Sequence, residues 1–378
     1  MSLRPLVLLD ASAARPPCTG VAWSMVELVN ALAAEERDLR FALATPHPEL
    51  FAGLDTAPGR AQWDLVALPP GRLAAVGWRL GSLARRLGAG VLHSLTIPPP
   101  LRSPCPLAVT VHDLAYRSLP GSVPAARRLW YAATLPAGLR RADVVLVNSA
   151  ATGREVADAF PFTAGKILPT PFGTPAWTAG RDAPLTRSQD APFLFIGALE
   201  PRKNLDNILS ALAILRARPG SGTPAPRLRV IGAPGWRNRA LLERLRREAA
   251  AGAVDLVGYR DRDSLWAEMV AARALLFPSL HEGFGFPILE AMAAHLPVIT
   301  SDRGAMREVA GDAALLVDPE SPRGIADAMH RISSEHGLAD RLVRAGEARI
   351  PVWTWRSTAE RTLAAYLRLL DVRTDGAN

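Results

Sequence analysis

Two glutamates stand in a stretch of the chain that is otherwise apolar or rich in glycine. The stretch covers residues 277–292, reads FPSLHEGFGFPILEAM and holds Glu282 and Glu290. Its apolar start predicts a short buried strand, the glycines predict a loop, and the apolar spacing after Pro287 predicts a helix. Glu282 is therefore expected in the loop and Glu290 in the first turn of the helix, with both facing one crevice. Such a unit also offers free backbone N–H groups to phosphates and sugar hydroxyls.

Two further residues with functional side chains stand at the ends of apolar runs. His112 ends the run that begins at Val109, and Asp113, which follows it, is expected to orient the loop. A histidine at the carboxyl end of a strand faces the crevice where parallel sheets bind ligands, and it titrates near neutral pH. Lys203 stands where a helix begins, and a cation there is unfavourable unless an anion lies beside it. We therefore expect His112 to have a functional role at the crevice and Lys203 to lie beside a phosphate.

The elements that must position these residues alternate between strand and helix in both halves of the chain. Strands are predicted at 6–10, 41–45, 91–94, 108–112 and 144–148, and again at 193–196, 228–231, 255–257, 275–278, 298–301 and 314–317. This alternation is typical of parallel βαβ units with helices on both faces of a sheet. Residues 161–192, rich in Pro, Gly, Thr and Ala, are typical of a linker between domains.

The motifs together resemble those of a known family. The stretch that holds Glu282 and Glu290 resembles the E-x7-E signature of glycosyltransferase family 4, retaining enzymes with the GT-B fold. Residues 200–204, EPRKN, resemble that family's diphosphate-binding segment, and residues 112–114, HDL, resemble its histidine motif. The resemblance is dense in the second half and patchy in the first. It implies an α/β protein of GT-B architecture, in which two Rossmann-like domains face across a crevice.

The resemblance also implies a division into domains. Residues 1–175 are expected to form the acceptor-binding domain and residues 176–352 the nucleotide-sugar-binding domain. Residues 353–378 are expected to form a helix that packs back on the first domain, with a frayed end.

Roles for single residues follow from the same resemblance. It implies that His112 lies beside the donor sugar, that Glu282 binds sugar hydroxyls and that Lys203 stabilises the diphosphate. The implied donor-binding residues are Gly20, Arg202, Lys203, Gly258, Tyr259, Gly283, Phe284, Gly285 and Glu290. Of these, Glu290 is implied to hold the ribose, and the turn at Gly258 and Tyr259 to hold the base through backbone groups.

The chain departs from the family pattern at two positions. Many members carry an arginine shortly after the glycine that corresponds to Gly20, and another directly after the strand glycine that corresponds to Gly197. This chain has Trp23 and Ala198 at those places. Arg202 is therefore predicted as the second phosphate contact.

Composition and charge limit the classes of molecule that the chain is expected to bind. The chain has 378 residues and a formal charge of +8. A basic balance fits nucleic acid, an anionic membrane face or anionic small substrates. No nucleic acid is expected, because the arginines are scattered through helical segments without the aromatic side chains that stack bases. The expected partners are a nucleotide sugar and a glycan or lipid-linked acceptor.

No metal ion or other cofactor is expected. The obvious Asp-x-Asp pair, Asp261 and Asp263, is predicted to start a helix with Asp263 as its cap. Cys18 and Cys105 are too few for a disulfide framework or a metal cluster, and they fit a reducing cytoplasm. No signal-peptide core and no apolar stretch of about 18 residues is found, so a cytoplasmic location is expected.

The expected reaction is metal-independent transfer of a sugar, with retention, from a nucleoside-diphosphate sugar to a hydroxyl of a glycan or glycolipid. Residues 197–204 and 112–116 resemble those of bacterial polysaccharide and O-antigen transferases, many of which use GDP-mannose. A sugar-nucleotide epimerase of GT-B architecture and a non-catalytic binding subunit are the alternatives. A phosphorylase would need a lysine for pyridoxal phosphate, and neither Lys166 nor Lys203 suits that role.

One segment suggests peripheral contact with an anionic membrane at its inner face. No acidic residue occurs between Asp64 and Asp113. Within this span an apolar helical stripe is flanked by arginines: Val76, Leu80, Leu83 and Leu87 beside Arg79, Arg85 and Arg86. Such a helix can lie on anionic lipid. The alternative is an ordinary helix that buries its stripe in the domain core.

Overall fold

The structure is a computed structural model that describes most of the chain. It covers residues 4–16, 18–35, 38–54, 62–69, 79–184, 188, 190–218, 225–235 and 239–375. For residues 62 and 372–375 only the backbone is described.

The strands of the described residues form two sheets in which every paired strand is parallel. The first sheet has the order β3-β2-β1-β4-β5-β6-β7 and the second the order β10-β9-β8-β11-β12-β13. The strands are β1 (Leu6–Asp10), β2 (Arg40–Thr45), β3 (Gln62–Ala67), β4 (Val91–Ser94), β5 (Leu107–Val111), β6 (Val144–Val147), β7 (Ile167–Pro169), β8 (Phe193–Ile196), β9 (Leu228–Ile231), β10 (Val254–Gly258), β11 (Leu275–Phe277), β12 (Val298–Ser301) and β13 (Leu315–Val317).

Helices connect these strands. They are α1 (Gly20–Ala34), α2 (Leu80–Leu87), α3 (Ala115–Ser118), α4 (Ala125–Arg141), α5 (Ala150–Ala159), α6 (Leu205–Arg216), α7 (Arg239–Ala250), α8 (Arg262–Ala271), α9 (Phe286–Ala293), α10 (Gly304–Ala310), α11 (Pro322–Ser334), α12 (Leu338–Arg349) and α13 (Trp355–Asp375). Short 3-10 turns lie at Pro48–Phe51, Pro120–Ser122, Pro161–Lys166, Ala176–Thr178, Pro201–Lys203 and Ile350–Val352.

Continuous apolar runs form the central strands because helices cover both faces of each sheet. Every residue of β1, β5, β8 and β11 is buried. The α/β class predicted from the alternating pattern is thus confirmed, and each predicted strand is present within one or two residues.

Two strands were not predicted, and both lie at an edge of the first sheet. In β3, Asp64 and Leu65 are exposed, so the strand lacks a long apolar run. The other, β7, has three residues and ends at Pro169, inside the segment predicted as a linker. An edge strand needs fewer buried side chains and fewer backbone donors than a central strand.

The chain divides into two compact units. Unit 1 comprises Met1–Leu114, Ala125–Gly173 and Thr354–Asn378, and unit 2 comprises Ala115–Pro124 and Thr174–Trp353. The segment 115–124, which we placed with the N-terminal domain, is grouped with unit 2.

The C-terminal helix α13 packs on α1 and β4 within unit 1. Tyr366 on α13 is fully buried, and its hydroxyl lies 2.6 Å from Nδ1 of His93. Nε2 of His93 lies 2.8 Å from the Thr110 hydroxyl. Burial lowers the pKa of His93 to about 3, so the ring is neutral at physiological pH. Helix α13 is therefore joined to the first sheet by a buried hydrogen-bond chain that crosses from His93 to Thr110.

Helix α2 buries two of the four residues in the stripe that was predicted to face lipid. Leu80 and Leu83 lie in the core of unit 1, and Leu87 is exposed. Val76 lies outside the described residues. The stripe at Leu80 and Leu83 therefore cannot contact lipid, and that part of the membrane hypothesis is wrong. None of the helices in the described ranges is both long enough and apolar enough to cross a membrane.

Candidate active site

A short turn at the carboxyl end of β8 presents two basic residues. The turn, Pro201–Lys203, leads to Asn204, whose φ of 63° is left-handed, and then to α6. The backbone N–H of Leu280 donates to the Arg202 carbonyl oxygen at 2.8 Å, which holds this turn against the loop after β11. The sheet therefore sets Arg202 and Lys203 beside the loop that carries Glu282.

The loop after β11 ends at a glycine that the backbone requires. Gly285 caps α9 with a φ of 110°, a conformation that side chains disfavour. The helix begins at Phe286, one residue before Pro287, so Glu290 is its fifth residue and lies just beyond the first turn. This local geometry places Glu282 in the loop and Glu290 on the helix.

Both basic residues of the turn bind one carboxylate. Lys203 Nζ donates to Glu282 Oε1 at 2.6 Å, and Arg202 Nη1 donates to Glu282 Oε2 at 2.7 Å. Arg202 Nε also donates to Glu200 Oε2 at 3.0 Å. Lys203 Nζ lies 4.8 Å from the centre of the Phe277 ring, which adds a cation–π contact. The structure thus joins Arg202, Lys203 and Glu282 in one cluster.

The cluster is largely shielded from water. The side chains of Lys203 and Glu282 are only 9% and 10% exposed. Burial opposes the ionisation of Glu282, but the charges of Arg202 and Lys203 outweigh it and hold its pKa at about 2. Burial lowers the pKa of Lys203, and the charge of Glu282 partly offsets this effect. Because the pair is in contact, we assign both groups as charged at neutral pH.

Glu290 has different electrostatic surroundings. Burial raises the pKa of its carboxyl group to about 7, although a hydrogen bond from the Trp177 side chain and the charges of Arg262 and Lys203 oppose the shift. The two glutamates of one motif therefore differ in charge near neutral pH: Glu282 is ionised and Glu290 titrates.

Trp177 is a site residue that we did not predict. Its ring packs edge-on against Trp266 at 6.2 Å, and the Arg181 guanidinium lies 5.5 Å from its centre. Arg181 also pairs with Asp263 at 2.5 Å. Trp177 lies in the proline-rich segment predicted as a linker, where no periodic pattern indicates what a side chain contacts.

The remaining candidates of unit 2 fall into two groups. Gly258 ends β10 with a φ of 82°, and the next residue, Tyr259, is 64% exposed. Phe284 is buried against Phe286 and Trp353, and Gly283 beside it is also buried. The ring of Phe284 therefore serves packing within unit 2.

Two predicted site residues lie in unit 1. His112 follows β5, is buried, and its Nε2 donates to the Leu95 carbonyl oxygen at 2.8 Å. This hydrogen bond places a proton on Nε2. Gly20 is the first residue of α1 and is exposed. The contacts that bring Arg202, Lys203 and Glu282 together all lie within unit 2.

The predicted helix start at Asp261 and Asp263 is present, but the cap was assigned to the wrong residue. Asp261 caps α8 by accepting a hydrogen bond from the Ser264 N–H at 2.8 Å, while Asp263 lies in the first turn. Within the ranges that the structure describes, no three His, Cys, Asp or Glu residues are grouped so that they could hold a metal ion. Metal independence stays a prediction.

Two family models match this chain. The one described as Glycosyl transferases group 1 matches residues 180–349, and the one described as Glycosyltransferase Family 4 matches residues 19–173. The chain belongs to glycosyltransferase family 4. The predicted resemblance to that family is thereby confirmed, and the chain is a glycosyltransferase that uses a nucleotide sugar.

Three known proteins illustrate the relationship. The glycosyltransferase is 28% identical to O-antigen chain mannosyltransferase B of Escherichia coli, over 68% of its own length and 69% of the relative. It matches the sucrose-phosphate synthase from Thermosynechococcus elongatus with a TM-score of 0.73 and 20% identity, covering 98% of this chain and 100% of that one. It also matches Anabaena HepE in complex with UDP-glucose, with a TM-score of 0.69 and 14% sequence identity. This match covers 95% of this chain and 99% of HepE. These structural likenesses confirm the GT-B fold.

Proposed function

We propose that the glycosyltransferase moves a sugar from a nucleoside-diphosphate sugar to a hydroxyl of a glycan or glycolipid, with retention and without a metal ion. The observation that supports this most directly is the cluster in which Lys203 and Arg202 share the Glu282 carboxylate. Two cations held at a strand end can stabilise a departing diphosphate, which is the work a metal ion does in other transferases.

The proposed reaction breaks the bond between the anomeric carbon and the diphosphate oxygen. The acceptor oxygen forms its bond to the same face of that carbon, and the acceptor proton passes to the departing phosphate oxygen. Lys203 and Arg202 stabilise the negative charge that grows on the diphosphate. Glu282, held by both cations, accepts hydrogen bonds from sugar hydroxyls, and Glu290 holds the ribose.

The donor that we favour is GDP-mannose, because the Escherichia coli relative is named a mannosyltransferase. The complex of HepE with UDP-glucose makes that compound the necessary comparison. A thermal-shift screen against GDP-mannose, UDP-glucose, GDP and UDP tests the donor, since a ligand at about 100 times its Kd adds about 2.7 kcal/mol to the free energy of unfolding. No shift with any nucleotide or nucleotide sugar would overturn the proposal.

An assay with and without acceptor separates the proposal from its alternatives. Transfer predicts a new glycoside and release of nucleoside diphosphate only when a glycan or glycolipid hydroxyl is present. An epimerase would change the donor sugar with no acceptor, and a binding subunit would bind the donor without turnover.

We also propose that unit 1 contacts an anionic membrane, through α4 and not through the stripe of α2. Between residues 65 and 142 the chain has ten arginines and a single acidic residue, Asp113. Helix α4 contains no acidic residue, and its first ten residues, 125–134, include no buried side chain. Leu129 there is 71% exposed beside the exposed Arg127 and Arg128. Arginines with an exposed leucine suit the headgroup region of anionic lipid.

A liposome flotation assay tests this contact. Vesicles of phosphatidylcholine with phosphatidylglycerol should carry the protein at low salt, and vesicles of phosphatidylcholine alone should not. Changing Arg127 and Arg128 to Ser should reduce flotation, whereas the same change at Arg246 and Arg247, an exposed pair on α7, should not. Equal flotation with both kinds of vesicle, or equal loss in both variants, would exclude the proposed contact.

A further inference from the structure

Asn204 has a backbone conformation that few side chains adopt. Its φ of 63° is left-handed. Among the described residues other than glycine, His295 alone shares a positive φ with Asn204. Asparagine tolerates this conformation better than most residues because its side chain can bond locally. Asn204 is also buried and directly follows Lys203. The chain therefore reverses sharply at the point where the cation must be placed.

Both N–H donors of the Asn204 amide and one lone pair of its oxygen form hydrogen bonds. Its Nδ2 donates to the Pro278 carbonyl oxygen at 2.8 Å and to the Pro319 carbonyl oxygen at 2.6 Å. Its Oδ1 accepts from Asn207 Nδ2 at 2.9 Å, and Asn207 also donates to Pro319 at 3.0 Å. An amide whose two donors and one acceptor are all paired in a buried place fixes its neighbours firmly.

The two carbonyl groups belong to different strands of the second sheet. Pro278 directly follows β11, and Pro319 follows β13 by two residues. Asn204 thus joins the segment after β8 to the segments after β11 and β13. The first of these joined segments carries Arg202 and Lys203, and the second carries Glu282.

We infer that Asn204 is a positioning residue that sets Lys203 and Arg202 in register with the Glu282 loop, so that both cations meet the donor diphosphate. This inference rests on the proposed function. A shift of one loop relative to the other by about 1 Å would weaken such contacts strongly, because preorganised charges act only at the right distance. Asn204 itself touches backbone carbonyl groups and Asn207, so it acts through the cations.

The test compares two variants that alter the amide in different ways. Asn204→Gly accepts the left-handed backbone and removes the side chain without adding charge. Asn204→Asp keeps the size of the side chain but turns carboxylate oxygens toward the carbonyl groups of Pro278 and Pro319. Asn207→Ala, which removes a hydrogen bond to Asn204 and leaves the Pro278 contact in place, is the matched control.

The measured quantity is the preference for a nucleoside diphosphate over its nucleoside. Calorimetry gives Kd for GDP and guanosine, or for UDP and uridine, using the diphosphate that the wild-type enzyme binds more tightly. Both Asn204 variants should bind the diphosphate about tenfold more weakly, the change that accompanies loss of about 1.4 kcal/mol, and should bind the nucleoside as before. Asn207→Ala should change the preference for the diphosphate over the nucleoside less than either Asn204 variant does.

A double variant shows whether Asn204 acts through Lys203. Adding Asn204→Gly to Lys203→Met should weaken diphosphate binding less than the sum of the single changes, because both changes remove the same contact. Additive losses, an unchanged preference for the diphosphate, or equal weakening of nucleoside and diphosphate would each overturn the inference. A wild-type protein that binds no nucleoside diphosphate would instead overturn the proposed function. Unchanged nucleoside binding shows that a variant is folded.

Discussion

Lys203 Nζ lies 2.6 Å from Glu282 Oε1, in a contact whose two side chains are 9% and 10% exposed. The sequence predicted Glu282 in a loop that faces a crevice and Lys203 beside a phosphate. Their shielding gives the pair a structural role besides its chemical one, because removal of one charge leaves the other poorly hydrated. Arg202, which also binds Glu282, limits that cost. The contact therefore affects both turnover and stability, and the two effects can be measured separately.

Replacing Lys203 by Met should lower kcat by about 10²- to 10³-fold, the loss typical of one preorganised electrostatic group. The donor KM should change less, since the charge on the diphosphate grows in the transition state. Because Arg202 still pairs with Glu282, the free energy of unfolding should fall by less than about 3 kcal/mol. Steady-state kinetics and denaturant melts measure both quantities. Arg239→Met, at a residue whose side chain is 94% exposed, is the control and should have little effect. Wild-type kinetics for Lys203→Met would mean that the site lies elsewhere.

The two glutamates should respond differently to substitution by Gln. Glu282→Gln should depress kcat, because it releases Lys203 and Arg202 and misplaces the sugar. Glu290→Gln should act mainly through the donor KM, because ribose contacts are made equally in the ground state and in the transition state. Kinetics with the identified donor decide between these expectations. The same pattern for both variants would contradict the separate roles.

Glu290 should make the stability of the enzyme depend on pH. Its pKa is about 7 in the fold against 4.5 for the ordinary side chain. Between these values the folded protein binds more protons than the unfolded chain, so stability from this group falls as pH rises from about 4.5 through 7. Glu290→Gln should lose this component, and its melting temperature should drop less than that of the wild type between pH 5 and pH 8. Parallel pH profiles for the two proteins would rule out a raised pKa.

Activity should survive removal of divalent cations. The prediction rests on Lys203 and Arg202, which supply positive charge at the proposed diphosphate site. Transfer measured in EDTA should equal transfer measured with added Mg²⁺ or Mn²⁺. Loss of turnover that Mg²⁺ or Mn²⁺ restores would show that a metal ion shares this work.

Tyr366→Phe should destabilise the protein without a large effect on transfer. The change leaves Nδ1 of His93 without its hydroxyl partner in a fully buried place, at a cost of about 1–3 kcal/mol. Chemical denaturation measures the loss, and kinetics on the folded variant should match the wild type. Leu367→Ala, on the same helix at a residue that is 42% exposed, should cost less. Equal stability of Tyr366→Phe and wild type would show that the hydroxyl contributes nothing to the anchoring of α13.

The sequence predicted the structure correctly where the side chains of a segment are compatible with few environments. The strands β1 and β8 were predicted with their observed ends, because residues 6–9 and 193–196 are apolar on both faces and such a run fits only inside a covered sheet. Glu282 and Lys203 were singled out because they are charged, whereas the strands predicted before them are apolar. Charged side chains beside buried strands and glycine loops need a partner.

Other features could not be read because they depend on residues distant in the chain. Trp177 and Glu290 are 113 positions apart, and the hydrogen bonds of Asn204 reach Pro278 and Pro319. The sequence left open whether the stripe on α2 faces lipid or the core, because an amphipathic helix has the same spacing whether a bilayer or a protein core covers it. Only burial of Leu80 and Leu83 separates the two cases.

The sequence by itself determined the alternation of strands and helices, the family motifs and the identity of the charged residues. These properties depend on local spacing and on side-chain chemistry, which one chain segment carries alone. The tertiary structure decided which charges meet and how far each is shielded from water. It holds Glu282 between two cations with a pKa of about 2, and it shields the Glu290 carboxyl group from water, which raises its pKa to about 7. Two identical side chains differ in this way because the free energy of a charge depends on the dielectric and the partners that the fold brings to it.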